Sequence, residues 1–299
     1  MTRARTRPAL LLLLLALVVV APRLVVGSSS AMFTDSVSAT SNVVTAGTCT
    51  TTTYTSWITS TSNIPSNDRD VYNRFSGNNL ANDSWLASSS WSSSNVTTNQ
   101  SGALYCDSNT ALSISGASGH ADTAATTQGS LGLQSSASAT LAFWVKTTSA
   151  SSGTLAAVGS TGGSSYSDRV VWMDSSGILH FSARSGGSST SWSITGGGAI
   201  NDGAWHLVGV AMGGYTNGGA TLYVDGTSVA TRAASGTTYA FRNFGSTTIS
   251  WSVGDQSAQT APSSVPTSAC VGTYDEFVVF DTTTLTSAQW ATLYADADL

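Results

Sequence analysis

Lysine and glutamate are almost missing from this chain of 299 residues, which has one of each, Lys146 and Glu276. Only 9% of the residues are charged, and the formal net charge is −5. Strong helix formers are therefore scarce, whereas the abundant Ser, Thr, Val and aromatic residues favour strands and turns. The arginines are scattered and form no basic patch, which argues against a nucleic-acid partner.

The single glutamate also limits catalytic chemistry. A retaining glycosidase needs two carboxyl groups about 5–5.5 Å apart, but Asp275 and Glu276 are adjacent, and adjacent residues of a strand point to opposite faces. The chain has no Gly-x-Ser-x-Gly, His-Glu-x-x-His or Cys-x-x-Cys motif, so neither a serine hydrolase nor a catalytic zinc enzyme is supported. We therefore expect no enzymatic activity.

The N-terminal segment has the pattern of a targeting signal. Three arginines among the first seven residues precede the apolar run Leu10–Val20, and small residues suitable for cleavage follow at Ser29–Ala31. Residues 1–31 are thus predicted to be a cleaved signal peptide or a retained membrane-anchor helix. In both cases the protein is expected to be secreted or at the cell surface, and it contacts a membrane only if this segment is uncleaved.

The stretch Asn201–Arg232 predicts three antiparallel strands. Asn201-Asp202-Gly203 is a turn signal, and the apolar residues 204–212 that follow it are enough for one buried strand. A second strand ends at Asp225-Gly226, a dipeptide that fits hairpin turns, and residues 227–232 return as the third. Three strands alone are unstable, so a second sheet must cover their apolar face.

Four segments in order resemble the laminin-G-like, concanavalin A-like jelly-roll family. They are residues 139–146, the motif Asp202-Gly203-x-Trp205-His206-x-Val208, residues 222–226, and the strand and helix of residues 272–294. The resemblance implies an all-β fold, a two-sheet antiparallel jelly-roll sandwich with one short C-terminal helix. It also implies a domain that most often binds carbohydrate or protein ligands, although retaining β-glucanases share the architecture.

The domain is predicted to cover residues 69–299, with regular strand signals over 103–297, and residues 32–68 are predicted to be a Ser/Thr-rich linker. Within that linker, residues 48–62 alternate weakly, as an edge strand or extended segment would. Leu285–Tyr294 is expected to form the only helix of the mature domain, capped by Thr286 or Ser287. Residues 32–48 resemble the start of bacterial proteins with SipW-type signal peptides, among them biofilm fibre proteins of the TasA and camelysin kind.

An extracytoplasmic location permits disulfides among Cys49, Cys106 and Cys270. The resemblance, in which the first and last strands are neighbours, implies a Cys106–Cys270 bridge. A Cys49–Cys106 bridge and three unpaired thiols are the alternatives.

Aromatic residues near loops are candidates for stacking on sugar faces, and charged residues beside them are candidates for polar contacts. The predicted ligand-binding residues are Tyr166, Asp168, Arg169, Trp172, Trp192 and Trp251. The predicted core residues are Trp144, Trp205 and Trp290, which match core positions of the family, and His180 and His206 as hydrogen-bonded histidines.

A calcium ion is the one cofactor that the resemblance implies. Asp275 matches the family's aspartate, and Asp107 is expected to complete an oxygen shell beside it. The alternative is that Asp275 bonds loop amides. Glu276 is predicted to face the rim, toward an arginine such as Arg169.

These observations predict an exported, non-catalytic recognition or adhesion module that binds a glycan or a cell-surface protein. The alternative, from the leader, is a structural protein of a biofilm matrix or cell-surface fibre. A glycoside hydrolase is the third and least supported alternative.

Overall fold

A computed structural model describes residues 53–76, 80, 91–103, 110–124, 126–127, 138–148, 151–160, 167–185, 191–214, 219–234, 241, 248–254 and 261–296. The chain divides into the units Met1–Thr50 and Thr51–Leu299, and all described residues belong to the second unit. Within the described ranges no helix has the length and hydropathy needed to span a bilayer.

The described residues form two antiparallel sheets, as predicted, and sheet I contains the meander. In spatial order its strands are β14 (Thr227–Arg232), β13 (Ala220–Val224), β12 (Asp202–Met212), β7 (Ala139–Thr148), β16 (Gly272–Asp281), β4 (Thr110–Ile114) and β3 (Val96–Ser101), and β1 (Arg69–Asn73) also pairs with β16. The strands β4 and β1 pair with successive halves of β16 along the same edge.

Sheet II contains the remaining strands. In spatial order they are β11 (Ser191–Gly196), β10 (Leu179–Arg184), β9 (Ser167–Met173), β8 (Gly153–Ser160), β15 (Thr248–Gly254), β5 (His120–Asp122) and β2 (Ser92–Ser94), and β6 (Thr126–Thr127) also pairs with β15.

The main core lies between the two sheets and follows the period of two that strands impose. On β7, Leu141, Phe143 and Val145 belong to this core, whereas Ala142 and Trp144 belong to a second cluster on the outer face of sheet I. This alternation agrees with the sequence pattern. Sheet I is therefore apolar on both faces and needs a cover on its outer side.

Two helices provide that cover. Helix α2 (Ser287–Ala295) begins with a capping box in which Thr286 and Gln289 bond each other's backbone N–H groups, as the sequence predicted for Thr286. Its Trp290 is fully buried on β12 beside Gly209, where a Cβ would stand 1.9 Å from the indole ring. Gly209 is thus the residue that lets the helix approach the sheet.

The second covering helix, α1 (Thr53–Thr59), lies in the predicted linker, and the expectation of an edge strand or extended segment over residues 48–62 is wrong for these residues. Its Tyr54 and Ile58 are buried in the outer cluster, and the Tyr54 ring lies 6.2 Å from that of Trp144. A 3₁₀ turn at Ser66–Asp68 connects this region to β1. The Thr-rich segment has weak helix propensity, so its helix depends on this packing.

Two further predictions need correction. Trp144 and Trp290 are fully buried, but Trp205 is only partly buried, because it lies near the start of β12 at the margin of the helix-covered cluster. Cys270 is a buried free thiol, so the predicted Cys106–Cys270 bridge is not formed; Cys49 and Cys106 lie outside the described residues. Burial raises the pKa of the Cys270 thiol to about 11.

Candidate functional site

The outer face of sheet II carries an aromatic and polar row across three strands. Trp172 on β9 pairs with His180 on β10, which in turn pairs with Thr195 on β11. The rings of Trp172 and His180 stack with centroids 3.8 Å apart and planes 8° apart. Trp172 is 8% exposed, His180 is partly buried and Thr195 is exposed, so the row becomes more accessible toward the edge strand β11. We call these three residues the outer row.

Hydrogen bonds fix the orientation of the His180 ring in the outer row. Its Nε2 lies 3.0 Å from Asp174 Oδ2, and its Nδ1 lies 2.8 Å from Thr195 Oγ1. A neutral ring meets both contacts when Nε2–H donates to the carboxylate and Nδ1 accepts from the hydroxyl. The hydrogen bond from His180 lowers the pKa of the Asp174 carboxyl. The outer row and Asp174 together therefore present an anionic carboxylate and a hydroxyl beside an aromatic pair.

A segment that crosses the same face limits the site on its inner side. We call residues 261–269 the strap. At one end Ser263 N–H donates to Ser191 Oγ at 3.1 Å, and at the other Ala269 forms a bridge with Thr154 of β8. Between these points Val265 packs against Val170 and Trp172. The strap thus covers the inner part of the outer face of sheet II. The His180–Thr195 end of the outer row lies beyond the apolar contact that Val265 makes.

Asp168 and Arg169 lie at a β-bulge on β9. The register between β8 and β9 shifts there, and Arg169 has a φ of 48°. Asp168 is fully buried, and its Oδ1 accepts the N–H groups of Arg169 at 2.7 Å and Arg184 at 2.6 Å. Burial raises the pKa of the Asp168 carboxyl, against the opposing effect of the Arg169 guanidinium 3.4 Å away. These residues hold β9 to β10.

The rim between the edge strands β11 and β14 carries an alternating series of guanidinium groups and rings. The Arg232 Cζ lies 4.3 Å from the ring centroid of Trp192. The ring centroids of Trp192 and Phe241 are 5.4 Å apart, and the Arg169 Cζ lies 4.8 Å from the ring centroid of Phe241. Trp192 is 9% exposed, and Arg232 is partly exposed. We call these four residues the rim cluster.

The predicted ligand-binding residues that the structure describes are thus divided among the outer row, the bulge, the rim cluster and the core. Trp172 is in the outer row, whereas Asp168, Arg169 and Trp192 lie in the bulge and the rim cluster. Trp251 is a core residue, because β15 directs it between the sheets, where it is fully buried near Phe277. Tyr166 lies outside the described residues.

A second bulge, on β16, holds Asp275 and Glu276. Asp275 is fully buried and accepts the N–H groups of Ala103 at 2.8 Å and Glu276 at 2.9 Å, the amide-bonding alternative given above. Among the residues that the structure describes, no three His, Cys, Asp or Glu side chains are grouped as metal ligands. Asp107 lies outside them, so calcium remains a prediction.

The prediction that Glu276 faces the rim is wrong. The bulge gives Glu276 a φ of 50°, and its side chain is fully buried, with Tyr72 and Arg74 bonded to its two carboxylate oxygens. Asp275 and Glu276 are therefore both buried, although a regular strand would direct them to opposite faces. Burial, and then the Glu276 carboxylate, raise the pKa of Asp275 well above its usual range.

His180 was predicted to be a core residue, and neither Asp174 nor Thr195 was among the predicted ligand-binding residues. The alternation of β10 contains part of the signal, because His180 alternates with the core residues Leu179 and Phe181 and so lies on the other face. The pairing of His180 with Trp172 and Thr195 depends on the register of three strands, which one sequence does not give.

A family model described as the concanavalin A-like lectin/glucanases superfamily matches residues 115–290. No curated protein matches the chain by sequence.

Solved structures share the fold at low sequence identity. Similar chains include botulinum neurotoxin type C, whose cell entry is described as dependent upon interaction with two ganglioside molecules (TM-score 0.56, 16% identity, 80% of this chain and 53% of that chain). The binding domain of botulinum neurotoxin DC in complex with rat synaptotagmin II (0.54, 13%, 78% and 52%) and Trypanosoma rangeli sialidase in complex with sialic acid (0.52, 16%, 76% and 33%) are also similar. This chain spans about half the length of the two toxin chains and a third of the sialidase.

Proposed function

Because this chain belongs to the concanavalin A-like lectin/glucanase superfamily, we propose that it is an exported, non-catalytic recognition module that binds a glycan on the outer face of sheet II. The observation that carries the proposal is the outer row. An aromatic pair edged by a carboxylate and a hydroxyl offers the stacking and hydrogen-bonding groups that sugars need.

The two outer faces of the sandwich differ in accessibility, which supports this location. Helices α1 and α2 cover the outer face of sheet I and bury large aromatic residues there. On sheet II the edge strand β11 has Ser193 and Thr195 exposed next to His180. Two of the similar proteins are described with a ganglioside and with sialic acid, which agrees with a sugar ligand.

The state of the only glutamate supports a non-catalytic role. A glycosidase of the two-carboxylate type needs an acid and a nucleophile or base that reach the substrate. Glu276 is fully buried, and Tyr72 and Arg74 engage both of its carboxylate oxygens. The adjacent Asp275 is bonded to backbone N–H groups. Both carboxylates thus act as structural groups in this proposal.

A glycan array with the whole chain, followed by calorimetry on the best ligand, tests the function. We expect His180→Ala to weaken binding about tenfold, the effect of losing one hydrogen-bonded polar contact and a stacking partner. His120→Ala is the matched control, because His120 lies on β5, three strands from β9 in the same sheet, and should bind normally. Fibre formation by the purified chain without any glycan signal would favour the matrix-protein alternative.

A further inference from the structure

The outer row is closed at the end that lies toward the middle of sheet II. On β8 the residue paired with Trp172 is Thr154, which is buried. The strap bonds Thr154 twice, since the Thr154 N–H donates to the Ser268 carbonyl at 2.8 Å and the Thr154 Oγ1 donates to the Pro266 carbonyl at 3.3 Å. A ligand that lies along the outer row therefore stops at Trp172, because the strap occupies the next position.

The strap also bounds a second side of the outer row. Ser191, where the strap is bonded to β11, lies at the beginning of that strand, whereas Thr154 is level with Thr195 near its end. The strap thus crosses the outer face of sheet II diagonally. Pro262 and Pro266 fix two of its φ angles, which limits its conformational freedom. It therefore acts as a wall with both ends tied to strands.

Asp174, in the turn between β9 and β10, forms a third side of the outer row. Its Oδ1 accepts the N–H groups of Ser176 at 2.8 Å and Ile178 at 3.1 Å, and its Oδ2 faces His180. These bonds fix a partly exposed carboxylate beside the row. Because an ionised carboxylate accepts hydrogen bonds from hydroxyl groups, Asp174 is a contact for a sugar hydroxyl at this side.

The fourth side of the outer row is open. Among the strands that the structure describes, β11 pairs only with β10, and its Ser193 and Thr195 are exposed. His180 and Thr195 lie on these two outermost strands, which are about 4.8 Å apart. The accessible part of the site is therefore about as wide as one sugar ring, and a ligand enters it over β11.

We propose that this site binds the terminal residue of a glycan chain, with the strap as the wall that excludes any residue beyond it and the rest of the chain leaving over β11. The inference rests on the proposed glycan-binding function and adds the class of ligand, a chain end. A residue inside a chain has a neighbour on each side, so it needs two paths away from the site. The outer row provides one path, and Val265, packed on Trp172, stands where the other neighbour would lie.

The test adds one sugar to each end of a small ligand in turn. The probes are free lactose, cellobiose and mannobiose and the terminal disaccharides of the strongest array signals, each measured by calorimetry alone and with one galactose added at the non-reducing or at the reducing end. We expect one of the two extensions to weaken binding by about tenfold or more, because it meets the strap, and the other to be tolerated. The extension that fails identifies the end that is bound. Equal effects of the two extensions would overturn the chain-end site alone, whereas no binding of any glycan would overturn the proposed function with it.

Loosening the strap gives a second readout. Ser191→Ala combined with Val265→Gly removes the acceptor of the Ser263 N–H and the apolar contact with Trp172. In the folded double variant the affinity ratio between the disaccharide and its excluded extension should fall from about tenfold to about twofold or less. Val271→Ala is the matched control, because Val271 is exposed just after the strap, and it should keep the ratio. An unchanged ratio in the folded double variant would overturn the strap as the wall, and if that variant does not fold, the comparison of extensions on the unmodified chain decides.

Discussion

In both sheets an aspartate at a β-bulge accepts two backbone N–H groups, but the next residue is an arginine in sheet II and a glutamate in sheet I. The followers have nearly the same φ, 48° for Arg169 and 50° for Glu276. In each case the partner strand has one residue fewer across the bulge. The aspartate and the backbone thus produce one geometry whatever the charge of the residue that follows.

The difference in charge decides how each bulge is connected to the rest of the molecule. Asp168 has a counter-ion in the next residue, and the charge of Arg184 on β10 makes a smaller contribution. Glu276 places a second carboxylate beside Asp275 and has partners elsewhere in the chain, a hydrogen bond from Tyr72 on β1 and the guanidinium of Arg74 just after it. Burial and then Glu276 raise the pKa of Tyr54 on α1. The sheet I bulge therefore joins the N-terminal elements to β16.

The largest expected effect is that of Asp168→Ala, which should lower the free energy of unfolding by about 3–5 kcal/mol. The change leaves the Arg169 guanidinium, 4% exposed, without its carboxylate and removes the acceptor of two N–H groups. Asp275→Ala should cost only about 1–3 kcal/mol, because it also removes a carboxylate next to Glu276. Urea unfolding at pH 7 measures both. Equal losses would mean that the charge of the follower has no part in the stability of the bulges.

An intermediate effect is expected in the pH dependence of stability. The folded-state pKa of Asp275 is raised above its usual 3.8, so the folded chain binds more protons than the unfolded chain between these two values. The free energy of unfolding therefore falls as pH rises through this window, by about 1.4 kcal/mol for each unit of pKa elevation. Asp275→Asn should flatten the profile measured by denaturant unfolding from pH 4 to 8. The same profile is measured for Asp168→Asn as a comparison. Parallel profiles for Asp275→Asn and the unmodified chain would contradict the assignment of this pH dependence to Asp275.

The smallest effect is expected from Arg74→Gln, about 1 kcal/mol or less. The Arg74 side chain is 25% exposed, so solvent screens its pair with Glu276, and Tyr72 still donates to the same carboxylate. Arg169→Gln is the matched change in sheet II, where burial prevents such screening, and should cost several times more. Thermal unfolding of the two variants gives the comparison. A larger loss for Arg74→Gln would show that the sheet I bulge depends on its arginine.

The sandwich itself could be predicted from the sequence, because its long strands are buried and alternate clearly. Leu141, Phe143 and Val145 mark β7, and Thr286 marks the start of α2. Strands β2 and β3 have mostly exposed polar residues, so their pairing leaves little trace in the hydrophobic pattern. Helix α1 depends on contacts of Tyr54 and Ile58 with residues far along the chain.

The candidate site could be predicted only in part. Trp172, Trp192 and Trp251 were all selected as aromatic residues near loops, but only Trp172 lies on the outer face of sheet II. Trp192 and Trp251 resemble it in sequence but belong to the core between the sheets, since one residue of register decides the face. The burial of Glu276 could not be predicted, because a bulge breaks the alternation on which face assignments depend.

The central position of β16 has a consequence for the order in which the molecule assembles. Residues 272–281 pair with β7 on one edge and with β4 and β1 on the other, and Tyr72 is about 200 positions away from its partner Glu276. A ribosome makes this strand after all the other strands of sheet I. Until then β7 and β4 both have open hydrogen-bonding edges, which are templates for mispairing between chains. Closing so long a loop is slow, so the docking of β16 should set the folding rate of the whole domain.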